Sequence, residues 1–95
     1  MLIVLSRARA ADGARERLMS AAVDMARASR DDNGCLGYSF AADLEDPAQI
    51  TCTEIWADRA ALDAHMAHDH TGEFLTRVWG LTDGDPVMSF HATGD

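Results

Sequence analysis

The chain has 95 residues, with eight arginines, no lysine and sixteen acids, for a formal net charge of −8. That length makes one domain, residues 1–95, and it buries only about two-thirds of its unfolded surface, so a partner chain would help complete the core. The arginines are scattered (Arg7, Arg9, Arg15, Arg17, Arg27, Arg30, Arg59 and Arg77). They leave no basic footprint, so neither nucleic acid nor an anionic membrane is an expected partner.

No apolar run approaches the roughly 20 residues that cross a bilayer. Met1 to Leu5 reads as the start of a strand and not as a signal peptide, which points to a cytoplasmic protein. The two cysteines, Cys35 and Cys52, are too few for a disulfide scaffold and lack zinc spacing. A hairpin turning near Asp46 would set Cys52 opposite Ala41, roughly 20 Å along the strand from Cys35. A disulfide needs Cα atoms within about 7 Å, so both thiols are expected to be reduced.

Leu2 to Arg9 is rich in β-formers and gives a first strand. Asp12 is a candidate N-cap for a helix running to about Arg30, with Ala14, Leu18, Ala21, Ala22, Met25 and Ala28 on one stripe. Asp31-Asp32-Asn33-Gly34 stops it, Asn33 or Gly34 suiting a left-handed cap. Cys35 to Leu44 and Gln49 to Ala57 form a hairpin around Glu45-Asp46-Pro47.

In the second arm Thr51, Thr53 and Ile55 alternate with Cys52, Glu54 and Trp56. Asp58 caps a second helix from Arg59 to about Asp69, and a third helical piece restarts at Thr71-Gly72. Pro86 to Ala92 is the last strand. The order β-α-β-β-α-(α)-β predicts an α+β, ferredoxin-like antiparallel sheet with its helices on one face. Leu2 and Val4 alternate with Ile3 and Leu5, and Tyr38 and Phe40 share the hairpin with Cys52 and Trp56. The sheet is therefore expected to be apolar on both faces. Nothing in the chain is left to cover the second, which predicts a homodimer.

From Gly34 to Leu75 the sequence resembles the antibiotic biosynthesis monooxygenase family of dimeric α+β barrels. The matching positions are Gly34-Cys35-Leu36-Gly37-Tyr38, Asp43 with Asp46-Pro47, and Glu54-Ile55-Trp56 with Asp58. They continue through Ala61-Leu62, Ala64-His65, His70 and Phe74-Leu75. The resemblance implies oxygenation of a small phenolic, quinol or polyketide-like aromatic substrate by O₂ without flavin, haem or metal. Haem-degrading members carry an asparagine on the first strand and a tryptophan in the second helix. Ser6 and His65 stand there in this chain.

His65 follows Leu62 by three positions, so it should face the sheet, where a neutral imidazole can accept a phenolic proton. Its alternative is a packing histidine held by an acid. Glu54 sits between Cys52 and Trp56 on a strand; burial there would raise its pKa and let it accept a proton or orient His65. A structural partner for an arginine or amide is its other reading. Tyr38 and Trp56 are expected to wall a cavity or simply fill the core. Phe74 and Trp79 are expected to close its opening, and His70 joins the substrate-binding set through the resemblance.

His65, His68 and Asp69 suggest metal ligands, but His70 is expected to point elsewhere, so no metal site is expected. The glycines form no nucleotide fingerprint. The alternatives to a monooxygenase are a non-catalytic dimeric small-molecule-binding module and a cofactor-free isomerase of a small oxygenated metabolite.

Overall fold

In a computed structural model, which describes residues 1–94, seven elements follow one another. They are β1 (Leu2–Arg9), α1 (Arg15–Ser29), β2 (Cys35–Ala42), β3 (Gln49–Trp56), α2 (Arg59–Met66), α3 (Asp69–Val78) and β4 (Val87–Ala92). The strands form one antiparallel sheet in the order β2-β3-β1-β4, the ferredoxin-like arrangement expected from the element order. No described helix is long and apolar enough to cross a membrane.

Period-two alternation decides what each strand buries. On β3, Ile50, Cys52, Glu54 and Trp56 are buried while Thr51 and Thr53 are exposed. The register sets Tyr38 opposite Glu54 and Phe40 opposite Cys52, so these residues share the helix-covered face with Trp56. This corrects the expected distribution, since Tyr38 and Phe40 add nothing to the outer face. That face carries Ile3, Leu5 and Ile55 at its centre, with Arg7, Thr51, Thr53 and Val87 around them. Cys52 lies opposite Phe40 and not Ala41, one position from the expected pairing. Cys35, across a bulge at Leu36, pairs with Trp56, and both thiols are free.

α1 buries Leu18, Ala21, Ala22, Met25, Ala26 and Ser29 along a single stripe. Asp12 does not cap it: the chain turns through Gly13 and enters the helix at Ala14, with no side-chain cap. After α1, Gly34 has φ +78°, and a Cβ there would lie 2.5 Å from the Ala61 Cβ. Glycine therefore lets this turn rest directly on α2. Asp58 caps α2 by accepting from the Ala61 amide at 2.9 Å.

α2 ends at Met66 and not at Asp69, and His68 opens α3. Thr71 Oγ1 donates to the His65 carbonyl at 2.6 Å across this break, satisfying one of the carbonyls that a helix end leaves open. Two apolar clusters result. One packs Leu2, Val4, Met25, Tyr38, Cys52, Trp56 and Leu62 together, and the other joins Ala10, Ala14, Leu18, Ile50 and Leu81.

Candidate active site

Between the sheet and the helices lies a cavity of about 160 Å³. Its wall is mostly apolar, with Leu18, Met25, Tyr38, Phe40, Ile50, Phe74 and Val78 among the lining residues. Glu54 and His65 bring ionisable groups to it, and Cys52 and Thr71 add further polar atoms. A larger depression of about 840 Å³ runs along Met66 to Asp69, Gly72, Glu73, Thr76 and Arg77, but it is an open surface feature lined by neither His65 nor Glu54.

α2 carries His65 into the interior, where only 3% of it is exposed. Its ring sits 4.6 Å from Trp56 and 5.5 Å from Tyr38, centroid to centroid. Nδ1 lies 2.8 Å from Asp32 Oδ2. The Asp32 carboxylate accepts from Nδ1, which turns Nε2 toward the Glu54 side of the ring. Nε2 in turn lies 4.0 Å from Glu54 Oε1.

Glu54 is 6% exposed, and its Oε1 accepts a 3.0 Å hydrogen bond from Trp56 Nε1. Burial raises the carboxyl above its usual range, opposed by the Trp56 hydrogen bond and by His65. Burial also raises the Tyr38 phenol and pushes the Cys52 thiol up to about 12, with the charge of Glu54 acting in the same direction on both. Both are neutral groups at physiological pH. His65 and Glu54 are the imidazole and the carboxyl that line the cavity.

The structure brings some of the sequence candidates together and separates others. His65, Glu54, Tyr38 and Phe74 all line the cavity. Trp56, fully buried, stands behind them and holds Glu54 rather than forming the wall itself. Trp79 is 88% exposed and takes no part in the lining. His70 is outside the cavity too, but its Nε2 reaches Asp32 Oδ2 at 2.9 Å, so Asp32 receives both imidazoles on one oxygen.

Asp32 is the residue the sequence did not single out. It occupies the turn after α1, where Asp31-Asp32-Asn33-Gly34 reads only as a helix stop. An acid next to a helix end is an ordinary sequence feature, and nothing local marks which of two adjacent aspartates turns inward.

Known proteins share this fold. The model of the antibiotic biosynthesis monooxygenase family matches residues 1–77. A solved structure from Pseudomonas aeruginosa is 26% identical with TM-score 0.89, covering 97% of this chain and 92% of that one. One from Deinococcus radiodurans, carrying a provisional assignment to the same family, is 25% identical with TM-score 0.92, covering 100% and 94%. A third, from Mycobacterium tuberculosis, is 22% identical with TM-score 0.92, covering 99% and 95%, and speaks to the fold alone. An uncharacterised protein of Synechocystis is 37% identical over 49 residues. The match takes in 52% of this chain and 33% of that protein, so it spans about a third of the curated relative's length. With four strands and three helices arranged as in these structures, and with the family match running from residue 1 to residue 77, the chain belongs to the antibiotic biosynthesis monooxygenase family.

Proposed function

We propose that the protein is a cofactor-independent monooxygenase that oxidises a small phenol or hydroquinone with O₂. The observation that carries this reading is the placement of His65. Its Nδ1 is held by Asp32, while its Nε2 lies on the cavity side, 4.0 Å from Glu54 Oε1. An apolar cavity of about 150 Å³ is enough to hold a benzene ring, so about 160 Å³ suits a compact aromatic substrate. Tyr38, Phe40 and Phe74 supply aromatic faces and edges for it.

Nε2 of His65 takes the hydroxyl proton, and Asp32 stabilises the imidazolium through Nδ1. The phenolate passes one electron to O₂, and the resulting radical pair recombines as a peroxide on a ring carbon that bears a hydrogen. Protonation by the imidazolium followed by loss of water leaves one oxygen atom on the ring as a carbonyl. Phenol plus O₂ thus becomes quinone plus water, with the substrate as the only reductant. The scarcity of polar atoms in the wall keeps water from the peroxide.

The protein acts as a homodimer in this proposal. The outer face of the sheet presents Ile3, Leu5 and Ile55, which a second copy of the same face would cover. Aerobic and anaerobic turnover of a hydroquinone panel tests the oxygenase reading. O₂-dependent consumption is the expected result. Equal turnover without O₂ would replace it with an isomerase, and no turnover of any panel member would count for a binding module.

A further inference from the structure

Three histidines and one aspartate meet just outside the cavity. Asp32 Oδ2 lies 2.8 Å from His65 Nδ1 and 2.9 Å from His70 Nε2, and the three atoms fall within 4.8 Å of one another. His68 Nε2 is 3.9 Å from the other oxygen of Asp32. The His68 ring stacks on His70 at 4.0 Å between centroids, and its side chain is half exposed. A shallow depression of about 240 Å³ opens beside Asp32, His65 and His68, giving the cluster access to solvent.

We propose that Asp32, His65 and His70 form a binding site for one divalent transition-metal ion of the zinc class. Two imidazoles and one carboxylate are the donor set such an ion takes when one position is left open. Tetrahedral bonds of about 2.0–2.1 Å place ligand atoms about 3.3 Å apart. The two N···O separations therefore need to open by about half an ångström, and the two imidazole nitrogens, within 4.8 Å of each other, need to close by up to about 1.5 Å. Water can take the fourth position, with His68 Nε2, 3.9 Å from the other Asp32 oxygen, as a nearby further donor. The formal charge of −8 draws cations to the chain, while the nitrogen donors disfavour Mg²⁺ and Ca²⁺.

The site carries a consequence for the cavity. A metal ion on Nδ1 of His65 displaces the hydrogen that Asp32 now holds there, so the ring proton moves to Nε2. His65 then presents an N–H toward Glu54 and the cavity in place of a lone pair. Metal binding switches the proposed base off. This effect on turnover rests on the proposed role of His65; binding of the metal does not.

Titration of the tag-free, chelator-stripped full chain with Co²⁺ tests the site without reference to activity. The expected result is one equivalent bound, with the intense visible d–d bands of a four-coordinate ion, competed away by Zn²⁺ and not by Mg²⁺. In the wild-type protein, Zn²⁺ should shift the imidazole NMR resonances of His65 and His70 and leave those of His91 in place. His70→Ala and the conservative Asp32→Asn should each weaken Co²⁺ binding beyond the roughly 10–100-fold that loss of a merely supporting residue causes. Absence of d–d bands, unshifted His65 and His70 resonances, or full-affinity binding by folded His70→Ala would overturn the proposal. If turnover is found, Zn²⁺ should inhibit it in step with Co²⁺ displacement. Binding without inhibition would leave the metal site standing and overturn its link to His65.

Discussion

His65 and Asp32 stand 33 positions apart in the sequence and 2.8 Å apart in the fold. One comes from the last turn of α2 and the other from the turn that closes α1, so the contact exists only once both helices lie on the sheet. It aligns the imidazole and leaves Nε2 on the side of Glu54 and the cavity.

Breaking this contact should impair chemistry more than binding. We expect Asp32→Asn to lower kcat about ten-fold or more with KM little changed, because the ring loses its alignment and not its place. His65→Gln should lower kcat by roughly 10²–10⁴, the span a positioned general base contributes. Steady-state kinetics on whichever quinol is turned over would check both.

Glu54 couples the site to the core through Trp56. Replacing it with leucine leaves the fully buried Trp56 N–H without an acceptor, which should cost about 1–3 kcal/mol. Glu54→Gln retains an acceptor oxygen and should cost far less. The folded carboxyl holds its proton more tightly than the unfolded one. Stability should accordingly fall as pH rises through the ordinary carboxyl range, and Glu54→Gln should flatten that slope. Urea denaturation of both variants between pH 4 and pH 7 would measure it.

A second pH effect comes from Cys52. Its folded pKa of about 12 stands above the ordinary thiol value of roughly 8.5. The folded state therefore keeps a proton that the unfolded state gives up, and stability should decline as pH rises from about 9 toward 12. Cys52→Ala removes this contribution to alkaline unfolding. At pH 8, Cys52 should also resist iodoacetamide in the native protein and react after denaturation, which mass spectrometry of the labelled peptides would show.

Gly34→Ala should destabilise the fold twice over. It forces a side chain into left-handed backbone, at a cost of about 1–2 kcal/mol, and presses that side chain onto Ala61. Adding Ala61→Gly should relieve the contact and leave the backbone cost, giving a partial recovery in thermal denaturation.

The outer sheet face gives a prediction about assembly. Leu5→Glu places a charge in the middle of the Ile3–Leu5–Ile55 patch, on a residue already 43% exposed in the single chain. Sedimentation should show the parent at twice 10.3 kDa and the variant at 10.3 kDa, both folded.

The elements were largely legible because local physics writes them. The alternation from Gln49 to Trp56, the Asp58 cap and the apolar stripe of α1 need no tertiary information. His65 was legible for the same reason, lying one helical turn after Leu62 on the buried face. Asp32 and His70 were not. Their meeting depends on the kink between Met66 and Asp69, which re-aims His70, and on how close Gly34 lets the preceding turn approach Ala61. The outer position of Trp79 likewise follows from where α3 ends, since Val78 takes the inward place instead. Strand periodicity placed Glu54 inward, but only the packed structure shows its carboxylate divided between Trp56 and His65.

Isotope labelling reaches the central claim most directly. Chelator-stripped protein would be supplied with ¹⁸O₂ and a hydroquinone or phenol that it consumes. One labelled oxygen should appear in the product and the other in water, and His65→Gln should lose both signals together. Product formed without label, or label incorporated equally well by His65→Gln, would contradict oxygenation driven by this histidine.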